Sequence, residues 1–229
     1  MKSSSETYHL DKWVWTNDDF DEMGWHDSLI YAFKVDKDLY FDLDYIFEWV
    51  EPQQDLWFSF WIAPCTLIFE TPRKFSFNFE NKDFDNYLEI SDVYRQINQN
   101  NETEWRIETN VGDILIEAEN FRQIVRRLPT KQPGQHIIPE ERGEISFATS
   151  FDKDFKETVR VKEIKQNDFL LRQKAARAQR LQKDLAKLFT RRLKGEIDTK
   201  LYILQKRELE QQVKDIKREL KDNGLEPFW

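Results

Sequence analysis

The sequence predicts an α+β protein, an antiparallel β-sandwich or partly open barrel followed by a long antiparallel helical hairpin. Three observations carry that prediction. In Leu39–Val50 (LYFDLDYIFEWV), Leu39, Phe41, Leu43, Tyr45, Phe47 and Trp49 occupy every second position. Strand side chains alternate faces, so six large apolar groups share one side of a sheet. Asp42, Asp44 and Glu48 fall between them, and the face they share is expected to meet water, as in a half-solvated antiparallel sheet. After Phe155 the apolar period changes from 2 to about 3.6, the period of a helix. Finally, charge divides the chain. Residues 1–164 hold 18 Lys+Arg against 33 Asp+Glu, a balance of -15, and residues 165–229 hold 17 against 10, a balance of +7. An acidic β-rich domain over 1–164 and a basic hairpin over 165–229, with an aromatic tail, are the expected units.

The core-building residues lie early. Seven of the eight Trp precede residue 110, and a first strand is expected around Trp13–Trp15. TNDDFDEMGWHDS, residues 16–28, reads as a structured turn region pinned by Phe20, Met23 and Trp25. Leu29–Val35 then forms a hairpin with the Leu39 strand through Asp36–Asp38. Leu56–Ile62 continues, after a break at Ala63-Pro64, into Cys65–Glu70, because proline lacks the amide a ladder needs. Phe75, Phe77 and Phe79 mark another strand. Leu88–Ile97 reads as either strand or helix. Glu104–Thr109 and Asp113–Ala118 pair around Asn110-Val111-Gly112, and Phe121–Leu128 reads as a short helix before Pro129. The Pro- and Gly-punctuated stretch 129–143 is irregular, and Glu144–Ala148 is expected as a last strand.

Helices are expected over about 168–194 and 198–222. Asn167 or Asp168 and then Asp198 supply N-caps, and Lys194-Gly195 ends the first helix. Leu181, Leu185, Leu188 and Phe189 form one apolar stripe, extended upstream by Ala175 and Ala178; Ile197, Leu201, Leu204, Leu209, Val213, Ile216 and Leu220 form the other, with a register shift between Leu204 and Leu209. The first helix carries Arg172, Lys174, Arg177, Arg180, Lys183, Lys187, Arg191 and Arg192. That surface suits an acidic protein, nucleic-acid phosphates or an anionic membrane. The pI of 5.1 favours protein over nucleic acid, and the membrane ranks last.

Function classes narrow by what is missing. One cysteine, Cys65, excludes an internal disulfide and a Cys-rich zinc site. No phosphate loop, GxGxxG, HExxH or GxSxG occurs, so no cofactor or metal is expected. Mean hydropathy is -0.77, and no run suits a spanning helix or a secretory h-region, so a cytoplasmic protein is expected. His26-Asp27, beside Trp25, is the one enzyme-like spot, with Cys65 as a conceivable nucleophile; a loop histidine held by hydrogen bonds is the plainer reading. Asp18, Asp19, Asp21, Asp36, Asp38, Asp42 and Asp44 offer oxygen ligands for a hard cation, against the plainer reading of a wet strand face. The terminal Phe228 and Trp229 suit either packing on the chain's own surface or a short docking peptide.

The stretches MGWHDSLIYAF, LYFDLDYIFEW and FWIAPCTLIFE, within residues 23–70, resemble uncharacterised bacterial β-rich proteins, some associated with immunity or defence genes. The resemblance spans about the first 145 residues and brings no catalytic signature. It implies a binding module that neutralises or senses another protein. The expected function is therefore a non-enzymatic interaction protein that docks or self-associates through its hairpin. The alternatives are a nucleic-acid-associated factor using residues 172–194 and a small hydrolase using His26 and Asp27.

Overall fold

A computed structural model describes residues 7–52, 57–79, 88–99 and 102–224. They divide into two compact units, one of Met1–Val50 with Ser59–Val161, the other of Glu51–Phe58 with Lys162–Trp229. Trp57 and Phe58 fall in the unit that holds the helices.

The first unit is one unclosed antiparallel sheet of ten strands: β1 (Val14–Thr16), β2 (Leu29–Val35), β3 (Leu39–Val50), β4 (Ser59–Phe69), β5 (Lys74–Phe79), β6 (Leu88–Ile97), β7 (Thr103–Thr109), β8 (Gly112–Glu117), β9 (Phe121–Val125) and β10 (Thr130–Gln132). Their order is β1-β9-β4-β3-β2-β6-β7-β8-β5, with β10 also on β4. Leu88–Ile97 is therefore a strand. So is Phe121–Val125: its apolar side chains at 121, 124 and 125 complete the β4 edge, where a helix would leave that ladder unpaired. Glu144–Ala148 forms no strand and packs as irregular chain instead.

Two halves of the sheet meet at β2 and β6, joined by Leu29↔Glu89 and Ile30↔Leu88. Their inner faces share one core. Leu39, Phe41, Leu43 and Tyr45 from β3 meet Trp105 and Ile107 from β7 and Ile114 and Ile116 from β8. Trp105 sits 5.7 Å from Phe69 and 5.1 Å from Phe121, ring centre to ring centre. Phe20 and Met23 pack against the same core from the 16–28 region, which forms a 3-10 helix over Asn17–Glu22.

The alternation in β3 holds as far as Phe47. The register then shifts between Ile46 and Glu48, and one extra residue reverses the faces beyond it. Trp49 consequently leaves the core side and is 42% exposed, against Phe60 at 5.2 Å. Pro64 does not break its strand. Its carbonyl accepts the Arg126 amide at 3.0 Å, so its missing N–H faces the same side, at the gap between β9 (paired with 65–69) and β10 (paired with 60–62). In the β7–β8 turn Gly112 has φ +137, and a Cβ there would lie 2.2 Å from the Asn78 carbonyl oxygen. Only glycine fits.

The second unit is a helical hairpin of α2 (Val159–Leu193) and α3 (Thr199–Asp222). The four-residue helix α1 (Pro139–Arg142) belongs to the sheet unit. α2 starts nine residues before the expected Asp168. Thr158 Oγ1 accepts the Val161 amide at 3.2 Å and does the capping, while Asp168 lies inside the helix and accepts from Arg172 at 3.3 Å. The turn is as expected: Gly195 has φ +73, and Asp198 accepts the amides of Lys200 and Leu201.

Candidate functional site

The strand face expected to be wet is closed. Asp42 and Asp44 are both 0% exposed. Residues 133–152, irregular apart from α1, cover the outer face of β3 and β4, and Ile137 packs with Ile46, Phe60 and Ile62 there. Burying a carboxylate costs heavily unless it is paired and hydrogen-bonded, and these are both. Asp42 accepts from Arg126 Nη2 at 2.5 Å, Arg142 Nη2 at 2.7 Å and the Ser146 amide at 3.0 Å. Asp44 accepts from Arg142 Nε at 3.0 Å, the Tyr31 hydroxyl at 3.0 Å and the Ile137 amide at 2.9 Å. The Arg142 guanidinium also lies 3.6 Å from the Tyr31 ring centre.

A second pair continues this layer. Arg127 donates to Glu141 Oε1 at 2.9 Å and stands 3.7 Å over the Phe155 ring, and Gln132 donates to Glu141 Oε2 at 2.8 Å. Three carboxyl groups thus meet three guanidiniums. Burial pushes the Asp44 carboxyl above its usual range, against the pull of Arg142, the Ile137 amide and Tyr31. Burial opposes the charge on Arg142, yet Asp44 and Asp42 hold its pKa above the ordinary value. These carboxylates are committed to arginine, so neither the cation site nor the solvent face expected of Asp42 and Asp44 exists. Of the other acids in that set, Asp19 accepts the Thr16 amide at 2.8 Å and Asp38 the Thr71 amide at 2.9 Å.

Of the enzyme-like residues, His26 and Asp27 stay together, while Trp25 and Cys65 lie in the core. Trp25 is buried, its Nε1 donating to Gln123 Oε1 at 2.9 Å in the core. Asp27, at φ 64, is held by Gln135 Nε2 at 2.6 Å and by His26 Nδ1 at 2.8 Å. His26 alone is open, with 69% of its side chain exposed and Trp49 at 6.2 Å. Glu89 lies close by, and burial, then Asp27, pushes its carboxyl up. Cys65 does not serve His26: it sits in the core, and burial raises its thiol far above the range in which a thiolate forms.

The hairpin is a better candidate. Leu171 and Ala175 pack on Leu220 with Ile216 beside them, and Lys174 pairs with Glu219. Near the turn Arg192 donates to Thr199 at 2.6 Å. Arg172, paired with Asp168, also lies 5.9 Å from the Trp57 ring centre. Arg172, Lys174 and Arg192 are half-buried; Arg177, Arg180, Lys183, Lys187 and Arg191 are exposed, with Lys187 at 3.5 Å from Asp184 and Arg191 at 3.7 Å from Glu196.

Of the expected apolar stripes, Leu188 and Val213 are buried and Leu181, Leu185, Leu209 and Ile216 half-buried. Leu201 and Leu204 are exposed. At about 100° per residue Leu204 lies roughly opposite Val213 on α3, which is the register shift visible in the sequence. Phe228 and Trp229 lie outside the described residues. No described helix is long and apolar enough to cross a membrane. Comparison with family models, curated proteins and solved structures finds no match to this chain.

Proposed function

We propose that the chain is a non-enzymatic protein-interaction module that self-associates through the end of its helical hairpin, in a bacterial immunity or defence setting. One observation carries the reading. Five large apolar side chains stay exposed within sixteen residues around the hairpin turn: Phe189 (52%), Leu193 (71%), Leu201 (42%), Ile203 (41%) and Leu204 (57%). Single exposed leucines are ordinary, but such a concentration marks a contact surface. Leu188 and Ile197 show that the hairpin buries what it can at this end.

The energetics suit a second copy. A fully buried side chain of this size contributes about 1.5–3 kcal/mol, and roughly half remains to be gained at each position. Five side chains on each of two copies offer on the order of 10 kcal/mol, against an association cost of about 4–15 kcal/mol. The expected assembly is concentration-dependent. Light scattering behind size exclusion on the full chain tests it: mass should rise with concentration, and Leu193→Ser with Leu204→Ser should keep the chain monomeric. A wild-type chain that stays monomeric throughout overturns the reading.

A further inference from the structure

We infer that the exposed basic face of α2 is a binding surface for the phosphate backbone of double-helical nucleic acid, read without regard to sequence. This goes beyond self-association and uses different residues. At about 100° per residue, Arg177, Arg180, Lys183, Lys187 and Arg191 fall within an arc of about 120° along roughly 21 Å of helix. All five are exposed, and Arg191 meets Glu196 in a surface pair at 3.7 Å. Asp184 is the one acidic residue between 171 and 194, and its contact with Lys187 is a surface pair at 3.5 Å. Such pairs are weak and exchange readily for a phosphate.

Two features choose among anionic partners. The cations recur every three or four residues, a regular row that fits a repeating polyanion, in which each contact releases a counterion. Single-strand binders interleave aromatic rings for base stacking. Here the sole aromatic residue between 177 and 191 is Phe189, about 180° around the helix from Arg180. Among nucleic acids, backbone contact with a duplex is the chemistry that suits this row. The chain's net charge of -8 does not oppose this, because the phosphates meet a local row inside a segment whose own balance is +7.

The test is fluorescence anisotropy of the full chain with a labelled duplex, a labelled single strand and poly-glutamate as competitor. About four net contacts give a slope of log affinity against log salt near -3.6, a loss of roughly a hundredfold between 50 and 200 mM. Lys187→Ala with Arg191→Ala should lower that slope by about two, with the fold checked by circular dichroism. Arg180→Gln with Lys183→Gln should do the same independently. Affinity indifferent to both pairs of substitutions overturns the inference, as does absence of duplex binding at low salt. Displacement by poly-glutamate at equal charge concentration overturns it in favour of an acidic protein partner, and tighter binding to the single strand overturns the duplex assignment.

Discussion

Removing the Arg142 side chain tests the buried ionic layer most directly. In Arg142→Ala, Asp42 keeps Arg126 and the Ser146 amide, but Asp44 loses the guanidinium that donates to it and keeps the Tyr31 hydroxyl and the Ile137 amide. Breaking a buried pair by deleting one partner costs about 3–5 kcal/mol, since the other charge stays buried. For a unit of this size that is a fall of roughly 6–20 °C in unfolding temperature. Tryptophan fluorescence is the assay, because Trp13, Trp15, Trp25, Trp49, Trp61 and Trp105 all belong to the sheet unit. The loss should depend on pH with a definite sign. Asp44 already has a raised pKa in the folded chain, and losing Arg142 raises it further. A raised carboxyl favours folding fully below the unfolded value of about 3.9 and loses that contribution as pH climbs through the folded value. The deficit of Arg142→Ala should accordingly be smaller at pH 4 than at pH 7, and adding Asp44→Asn should recover part of it at pH 7. A variant melting within a degree or two of wild type at pH 7 would refute the ionic layer as a source of stability.

Two further outcomes are expected. Gly112→Ala should lower the unfolding temperature of the sheet unit by several degrees, because its Cβ meets the Asn78 carbonyl and its φ of +137 strains any side chain; an unchanged melt would mean the β7–β8 turn relaxes freely. Cys65 should resist thiol reagents in the native protein and titrate as one thiol per chain in denaturant; rapid native labelling would contradict its burial.

The sequence made the inner face of the sheet legible because its signal is local. Leu39 to Phe47 alternate, and so do Phe75 to Phe79, whatever packs on them. The helical turn was legible for the same reason, with Gly195 and Asp198 three residues apart. The outer face was not. Asp42 and Asp44 look like solvated carboxylates until Arg126 and Arg142 arrive from 84 and 100 residues away. One signal was present: a long irregular stretch in a compact domain must rest on something, and 129–143 contains Ile137 and Arg142, which bind Asp44. The bulge at Phe47 gives no composition cue, and so Trp49 was assigned to the wrong side. On the hairpin the eight cations read alike, and only the register between helices separates those that tie the unit together from those left facing outward.

Pro64 has a consequence for the polar layer around it. Register places Asp44 beside it on one neighbouring strand, and the Arg126 amide meets its carbonyl from the other side. An imino acid thus stands in the same transverse row as a carboxylate and a guanidinium, contributing an apolar ring that neither donates to them nor competes for them. Any ordinary amino acid there would bring an amide hydrogen into a place where the ladder has already parted, and that buried donor would need an acceptor of its own. Proline meets the break without adding one.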